Sequence, residues 1–112
     1  RKQYGQSICK FQAVSHKIAN MKIGVETSRQ MLYKAGSDMH RKVNSTNSLA
    51  IAKVVTSEAF VAASLDCQQI FGGYGYMKES GIDKYVRNSV ASKIYSGSSE
   101  VQRNTIASML GL

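Results

Sequence analysis

Nine residues at alternating steps of three and four constrain the fold of this chain more than any other feature. They are Phe11, Val14, Ile18, Met21, Val25, Ser28, Leu32, Ala35 and Met39. This spacing places all nine on one stripe of an α-helix, and the chain has no proline to interrupt it. We therefore predict an amphipathic helix from about residue 10 to about residue 41, packed in a bundle or coiled coil.

The next segment predicts a second long helix. Residues 44–48 are rich in capping side chains and predict a turn followed by a helix start. Residues 49–70 are apolar on more than one face, which predicts a helix that is buried on several sides. The three glycines within 71–76 end that helix.

Two shorter helices complete the predicted fold. One spans 82–92 and the other begins near Ser99, where Ser99 and Gln102 fit a capping box, with Gly111 at its C-cap. The predicted core-facing side chains of these helices are Ile82, Tyr85, Val86, Val90, Val101, Ile106, Met109 and Leu110. The sequence thus predicts one all-α domain over residues 1–112, an antiparallel helical bundle.

The composition excludes several classes of function. The net charge of +8 would suit an anionic partner, but the basic residues form no dense block and no aromatic residues alternate with them. We expect a basic solvated surface and no nucleic-acid partner. Cys9, Cys67, His16 and His40 lack metal-ligand spacing, so no metal site is predicted. No apolar run approaches the roughly 18 residues of a membrane span, so none is expected.

Two short segments could carry chemistry. Gly72, Gly73 and Gly75 match neither the Walker pattern nor the dinucleotide fingerprint, and their spacing alone favours a tight turn between helices. The alternative is a loop whose bare backbone lies against a phosphate or a cofactor edge. Ser98 and Ser99 begin a predicted helix, whose free N–H groups are either capped by those side chains or bind an anion.

Motifs in a fixed order make these segments specific. They are Gln69-Ile70-Phe71-Gly72-Gly73-Tyr74-Gly75-Tyr76, then Tyr85-Val86-Arg87, then Ile94-Tyr95-Ser96-Gly97-Ser98-Ser99-Glu100-Val101-Gln102-Arg103. Together they resemble the acyl-CoA dehydrogenase family. Arg1-Lys2-Gln3-Tyr4-Gly5 and Phe11-Gln12 are similar to its Arg-x-x-Phe-Gly and Phe-Gln elements. The resemblance covers essentially the whole chain and most of the family's C-terminal helical domain, without the first helix of that domain.

The resemblance implies the C-terminal portion of a larger flavoenzyme. FAD would lie between a middle β domain and this bundle and would reach a neighbouring subunit. The implied FAD contacts are Arg1, Gln12, Gln69, Ile70, Phe71, Gly72, Gly73, Ser98, Ser99 and Glu100. Gly97 would lie near the acyl thioester.

Ser96 departs from the family pattern. Many members have a glutamate there that removes the α-proton of the thioester, and a hydroxyl without an activating partner is a very poor base. Three explanations stay open: a base on the absent first helix, an unusual thioester such as a carrier-bound amino acid, or a relative that does not dehydrogenate. Glu100 is interpreted as a first-turn residue that complements the helix dipole. Asn88 stands where Asp often follows the arginine.

The predicted function is α,β-dehydrogenation of an acyl thioester by an FAD-dependent enzyme, with no catalytic residue in this chain. The expected partners are an electron-transfer partner that reoxidises the flavin and further copies of the subunit, as a tetramer or a dimer. The expected location is the cytoplasm, or the mitochondrial matrix in a eukaryote. The alternatives are a flavin monooxygenase of the same fold and a non-enzymatic helical interaction module.

Overall fold

Two long antiparallel helices form the frame of the molecule. The computed structural model describes residues 1–112. Helix α1 spans Gln12–His40 and helix α2 spans Thr46–Phe71. They run in opposite directions, since Lys17 near the start of α1 forms an ion pair with Asp66 near the end of α2. The two predicted long helices are therefore confirmed, with ends within a few residues of those expected.

The remaining elements are short. Helix α3 spans Gly73–Tyr76, α4 spans Ile82–Ser92 and α5 spans Ser99–Met109. The strands β1 (Lys2–Gln3) and β2 (Gln6–Ser7) form a small antiparallel hairpin that the helical periodicity could not reveal. One-turn 3₁₀ helices at Ile8–Lys10 and Lys78–Ser80 precede α1 and α4. The all-α bundle is confirmed, and α4 has the predicted bounds.

Helix α1 packs on α2 along a line beside the predicted stripe. A Cβ added to Gly24 would lie 3.2 Å from the Ala59 Cβ, so the two backbones approach closely there. Half of the stripe lies at or near this contact, and Ala35 is its one fully buried member. The other half recurs at every seventh residue and is about half exposed: Ile18, Val25, Leu32 and Met39. The apolar face of α1 is thus wider than α2 covers.

Helix α2 lies at the centre and contacts α1, α3, α4 and α5. Its fully buried residues are small: Ser48, Ala50, Ala52, Ser57 and Ser64. By length and composition alone α2 could also cross a membrane, which corrects the expectation that no segment approaches that composition. Within this fold it is the central helix of a bundle.

The predicted core faces of α4 and α5 are partly wrong. Tyr85, Val90 and Val101 are about half exposed, and Leu110 is more so. The fully buried residues of the two helices are Ile82, Ser89, Ser92 and Ser99. Apart from Ile82, small side chains fill this contact and let the helices lie close to α2. Most of the larger apolar side chains, including Met109, are half exposed or more.

Most of the buried serine hydroxyl groups donate a hydrogen bond to a backbone carbonyl in the preceding turn of their own helix. The Ser89 Oγ donates to the Val86 carbonyl at 2.7 Å, and the Ser92 Oγ donates to the Ser89 carbonyl at 2.6 Å. Such bonds to the preceding turn let a hydroxyl be buried without a partner from another helix. The core between α2, α4 and α5 is therefore narrow and largely polar. Three buried side-chain atoms lack a hydrogen-bond partner, namely the Asn47 Oδ1 and Thr56 Oγ1 on α2 and the Ser99 Oγ on α5.

Candidate functional site

The predicted site residues fall into two groups at different heights along α2. One group surrounds the N-terminal hairpin and the end of α2, where Arg1 and Ile70 line one cavity. The other is the α4–α5 turn, which is tied to α2 at Lys53. At a rise of about 1.5 Å per residue, Lys53 and Ile70 lie roughly 25 Å apart along the helix axis. A single chain therefore does not bring all its predicted FAD contacts together.

The hairpin positions Arg1 beside the end of α2. The Ile8 N–H donates to the Arg1 carbonyl at 3.1 Å, and the rings of Tyr4 and Phe11 meet edge to face with their centroids 6.2 Å apart. Arg1, Phe11 and Ile70 line an open surface cavity of 360 Å³. Gln12, the first residue of α1, is exposed next to Phe11. This part of the site offers a guanidinium group beside an apolar surface.

The turn after α2 presents bare backbone to an open groove. Gly72 has φ +58° and ψ −137°, a conformation that favours glycine. A Cβ on Gly72 or Gly73 would meet nothing within 4 Å, so space for a ligand exists at both. The predicted contacts Gln69, Gly72 and Gly73 line one groove of 430 Å³. Phe71, also predicted, is half exposed beside it.

Gly75 has a different role from its two neighbours. A Cβ there would lie 2.6 Å from the Gln68 carbonyl oxygen and 3.0 Å from the Phe71 Cβ. The Gln68 side chain also donates to the Gly75 carbonyl at 3.3 Å. Gly75 is therefore needed for packing of α3 against α2, and only the first two glycines of the motif face open space.

The α4–α5 turn uses two left-handed residues in succession. Ser96 has φ +55° and Gly97 has φ +85°. For a residue with a Cβ this conformation costs roughly 1–2 kcal/mol, so the surroundings must hold Ser96 in place. The Gln102 side chain donates to the Ser96 carbonyl at 3.4 Å, and the Ser99 N–H donates to the Lys93 carbonyl at 3.0 Å.

The start of α5 differs from the predicted capping box. Ser98, not Ser99, is the N-cap, and its hydroxyl accepts from the Val101 N–H at 3.4 Å. Ser99 is 1% exposed and its Oγ has no hydrogen-bond partner within the chain. A buried hydroxyl without a partner is uncommon, and a polar ligand at the helix start would satisfy it. The residues present thus fit a bound polar group.

Glu100 is held ionised at the first turn of α5. A hydrogen bond from its own backbone N–H and one from the Ser98 hydroxyl hold the pKa of Glu100 below its usual value. Lowering the pKa weakens a carboxylate as a general base. The side chain is also exposed. These features favour the helix-dipole role predicted for Glu100 over a catalytic one.

The sequence reasoning missed Lys53. Its Nζ donates to the Ser92 carbonyl at 2.7 Å and lies 6.0 Å from the centroid of the Tyr95 ring. Lys53 is the only basic residue of α2, and a single positive charge in a helix rich in apolar residues is the signal that could have pointed to a specific contact.

Comparison with known proteins agrees with the motifs. Residues 1–111 match the family model described as acyl-CoA dehydrogenase, C-terminal domain. The short-chain specific acyl-CoA dehydrogenase of Megasphaera elsdenii is 39% identical over 102 residues, which are 91% of this chain and 27% of that protein. An L-prolyl-[peptidyl-carrier protein] dehydrogenase of Pseudomonas fluorescens is 38% identical over 112 residues, 100% of this chain and 30% of that protein.

A solved structure shares the fold over the same region. The FAD complex of PigA superposes with a TM-score of 0.96 at 37% identity, over 100% of this chain and 29% of that one. The chain thus spans less than a third of the length of these relatives. Because a family model matches nearly every residue, the chain belongs to the acyl-CoA dehydrogenase family, in the region of its C-terminal domain.

Proposed function

We propose that this chain is the C-terminal helical domain of an FAD-dependent enzyme that introduces an α,β double bond into an acyl thioester. The observation that carries the proposal is the start of α5, where the buried Ser99 hydroxyl lacks a partner beside the Ser96–Gly97 turn. The bound FAD would accept the hydride. The residues of this chain would bind and orient it.

Each group of predicted contacts has a distinct part in the proposed FAD binding. Arg1 would neutralise phosphate charge, and the open backbone at Gly72 and Gly73 would allow close approach of the cofactor. Ser98 and Ser99 would donate hydroxyl groups at the start of α5. Because the two groups lie roughly 25 Å apart along α2, we propose that they serve two FAD molecules in a homo-oligomer, a tetramer or a dimer.

The proposed chemistry needs a base from outside these residues. Ser96 cannot take an α-proton at neutral pH, and the lowered pKa of Glu100 does not suit it as a base. We propose a carboxylate on another part of the protein, in the helix that the family places before this region. Gly97 would let the thioester approach the turn.

The thioester carrier and the electron-transfer partner belong to the same proposal. Relatives that are described as acting on acyl-CoA and on a peptidyl-carrier protein are 39% and 38% identical to this chain, so identity does not separate the two carriers. We propose an acyl thioester as substrate and an electron-transfer protein as the oxidant of the reduced flavin. The proposed location is the cytoplasm, or the mitochondrial matrix in a eukaryote.

Anaerobic flavin reduction tests this function. The complete flavoprotein that contains this chain would be mixed with butyryl-CoA or with an L-prolyl carrier-protein thioester. We expect the oxidised flavin band to bleach with at least one of them. The Ser96→Ala variant should bleach within about threefold of the wild-type rate, because a group that is not the base contributes little to proton removal.

Two outcomes would contradict the proposal. A loss of tenfold or more in Ser96→Ala would return the proton-transfer role to this position. A wild-type protein that binds FAD, is not reduced by either thioester, and consumes oxygen faster than the same reduced flavin does without protein would support the monooxygenase alternative.

A further inference from the structure

The Ser92 carbonyl group at the end of α4 accepts its hydrogen bond from the Lys53 side chain. The last carbonyls of a helix have no intrahelical donor, and no backbone N–H donates to the Ser92 carbonyl. The Lys53 Nζ is 2.7 Å from it. A positive group at a helix C-terminus is also favoured by the helix dipole. The contact joins the central helix to the segment that leads into the candidate site.

Lys53 has a second contact beyond the end of α4. Its Nζ lies 6.0 Å from the centroid of the Tyr95 ring, within reach of a cation–π interaction. Lys53, Ser92 and Tyr95 line a cavity of 230 Å³ next to the turn. One half-buried ammonium group thus contacts both ends of the segment from residue 92 to residue 95, directly before Ser96.

The segment that Lys53 holds is one that needs to be held. The left-handed conformation of Ser96 is unfavourable for a residue with a Cβ, and its carbonyl is bound only by the long Gln102 contact at 3.4 Å. The start of α5 follows at once, so a shift at residue 95 changes the direction of the Ser98 and Ser99 donors. A change of about 1 Å in such a position can alter a reaction rate by roughly 100-fold.

We propose that Lys53 is a positioning residue, which fixes the α4–α5 turn to α2 and thereby sets the position of the Ser96–Glu100 segment against flavin and thioester. The inference rests on the proposed function for its kinetic part. It acts through the turn and requires no contact between Lys53 and the substrate.

The test compares Lys53→Met, Lys53→Arg and a control, Lys84→Met, in the complete flavoprotein loaded with FAD. Methionine keeps the length of the side chain and removes its donor and charge, whereas arginine keeps both. Lys84 is exposed on α4, and its side chain makes no hydrogen bond or ion pair with another residue of the chain. The substrates are butyryl-CoA and the L-prolyl carrier-protein thioester.

We expect Lys53→Met to lower kcat for flavin reduction about 10- to 100-fold, with KM changed less than threefold. Amide hydrogen exchange should rise in residues 93–100 and stay unchanged in α1. Lys53→Arg should recover most of the rate and the protection, and Lys84→Met should match the wild type. This pattern separates positioning from a general loss of stability, which would raise exchange throughout.

Three other outcomes overturn the inference or its kinetic part. Unchanged exchange at 93–100 in Lys53→Met would show that the turn is held without Lys53. Raised exchange with an unchanged kcat would show a contact that matters only for stability. If the wild type binds FAD but neither thioester reduces it, the proposed function fails and the kinetic part fails with it. Hydrogen exchange then still decides whether Lys53 fixes the turn.

Discussion

The three glycines of the motif that follows α2 have two different physical roles. Gly72 and Gly73 border open space, whereas Gly75 is packed against the end of α2. A sequence motif cannot distinguish these roles, because both require the absence of a side chain. Substitution by alanine separates them, since the added methyl group clashes in one place and reaches solvent or ligand in the other.

Gly75→Ala should destabilise the fold by about 1–3 kcal/mol. The added Cβ would lie 2.6 Å from the Gln68 carbonyl oxygen, a backbone atom that cannot move without shifting the end of α2. Gly73→Ala is the matched control, because its Cβ meets nothing within 4 Å and it lies in α3. We expect its free energy of unfolding in urea to change by less than about 1 kcal/mol. FAD affinity should fall in Gly73→Ala, if the groove receives the cofactor. Equal stability of the two variants would contradict the assigned roles.

At the level of the helices, α2 owes its central position to three charged residues as well as to its apolar surface. Lys53 binds the end of α4, Glu58 forms an ion pair with Arg103 on α5 at 2.6 Å, and Asp66 pairs with Lys17 on α1. Each charge of α2 thus reaches a different neighbouring helix. Because exposed ion pairs contribute little stability, we interpret these contacts as fixing the register of the bundle.

The start of α5 allows a paired test of structure and ligand binding. Ser98→Ala removes the N-cap and should destabilise the protein by about 1 kcal/mol. Ser99→Ala removes a buried hydroxyl that has no partner, so the FAD-free protein should be equally stable or slightly more stable. Thermal unfolding without FAD measures both stabilities, and FAD titration measures the loss of FAD affinity that we expect in Ser99→Ala. A large loss of stability in Ser99→Ala, with FAD affinity retained, would show that this hydroxyl serves the fold alone.

The helices could be predicted from sequence because their signals are local. The spacing of apolar residues in 11–39 and the glycines after Ile70 mark where helices run and end. Their packing faces could not be predicted in the same way. The contact of Gly24 with Ala59 and the buried serine at Ser89 bring helices together through small residues, which a search for large apolar residues overlooks.

The sequence motifs predicted the candidate site residues individually, and those assignments stay predictions, but the motifs did not predict how the residues are arranged. The motifs identified the α2–α3 turn and the α5 start, yet their separation along α2 follows from the antiparallel order of the helices. Lys53 was missed because its proposed role depends on a contact with Ser92, 39 positions later in the chain. Signals that arise from tertiary contacts are absent from any local pattern.

For the molecule as a whole, acid should weaken the fold through α1. Hydrogen bonds from the Lys22 ammonium group, which has the larger effect, and from Arg29 hold the pKa of Glu26 below its usual 4.5. A hydrogen bond from the Ser48 hydroxyl holds the pKa of Asp38 below its usual 3.8. A carboxyl group whose pKa is lower in the folded state contributes stability above its unfolded pKa. That contribution is lost as the pH falls through the folded pKa. The melting temperature should therefore fall as the pH drops below about 4.5.

Substitutions identify the groups behind this acid sensitivity. The combined Glu26→Gln and Asp38→Asn variant should be less stable near neutral pH and should show a smaller fall on acidification. Glu79→Gln, which removes an exposed carboxylate without an ion pair, should retain the full decline. Parallel melting curves for the wild type and the combined variant across this range would argue against the assignment.

The isolated 112-residue chain should be inactive toward a thioester even in excess FAD. Its predicted FAD contacts lie in two groups, the proposed base lies elsewhere, and the half-exposed side chains of Ile18, Val25, Leu32 and Met39 leave an apolar face of α1 uncovered. A continuous exposed apolar surface of this kind is typical of an interface, so the isolated chain should also associate with itself. Sedimentation velocity and anaerobic mixing with FAD and butyryl-CoA measure the two properties. Replacing Leu32 by lysine should reduce the association, while Lys84→Met, in α4, which packs mainly on α2, should not. Flavin bleaching by the isolated chain would show that it holds both a complete cofactor site and a base.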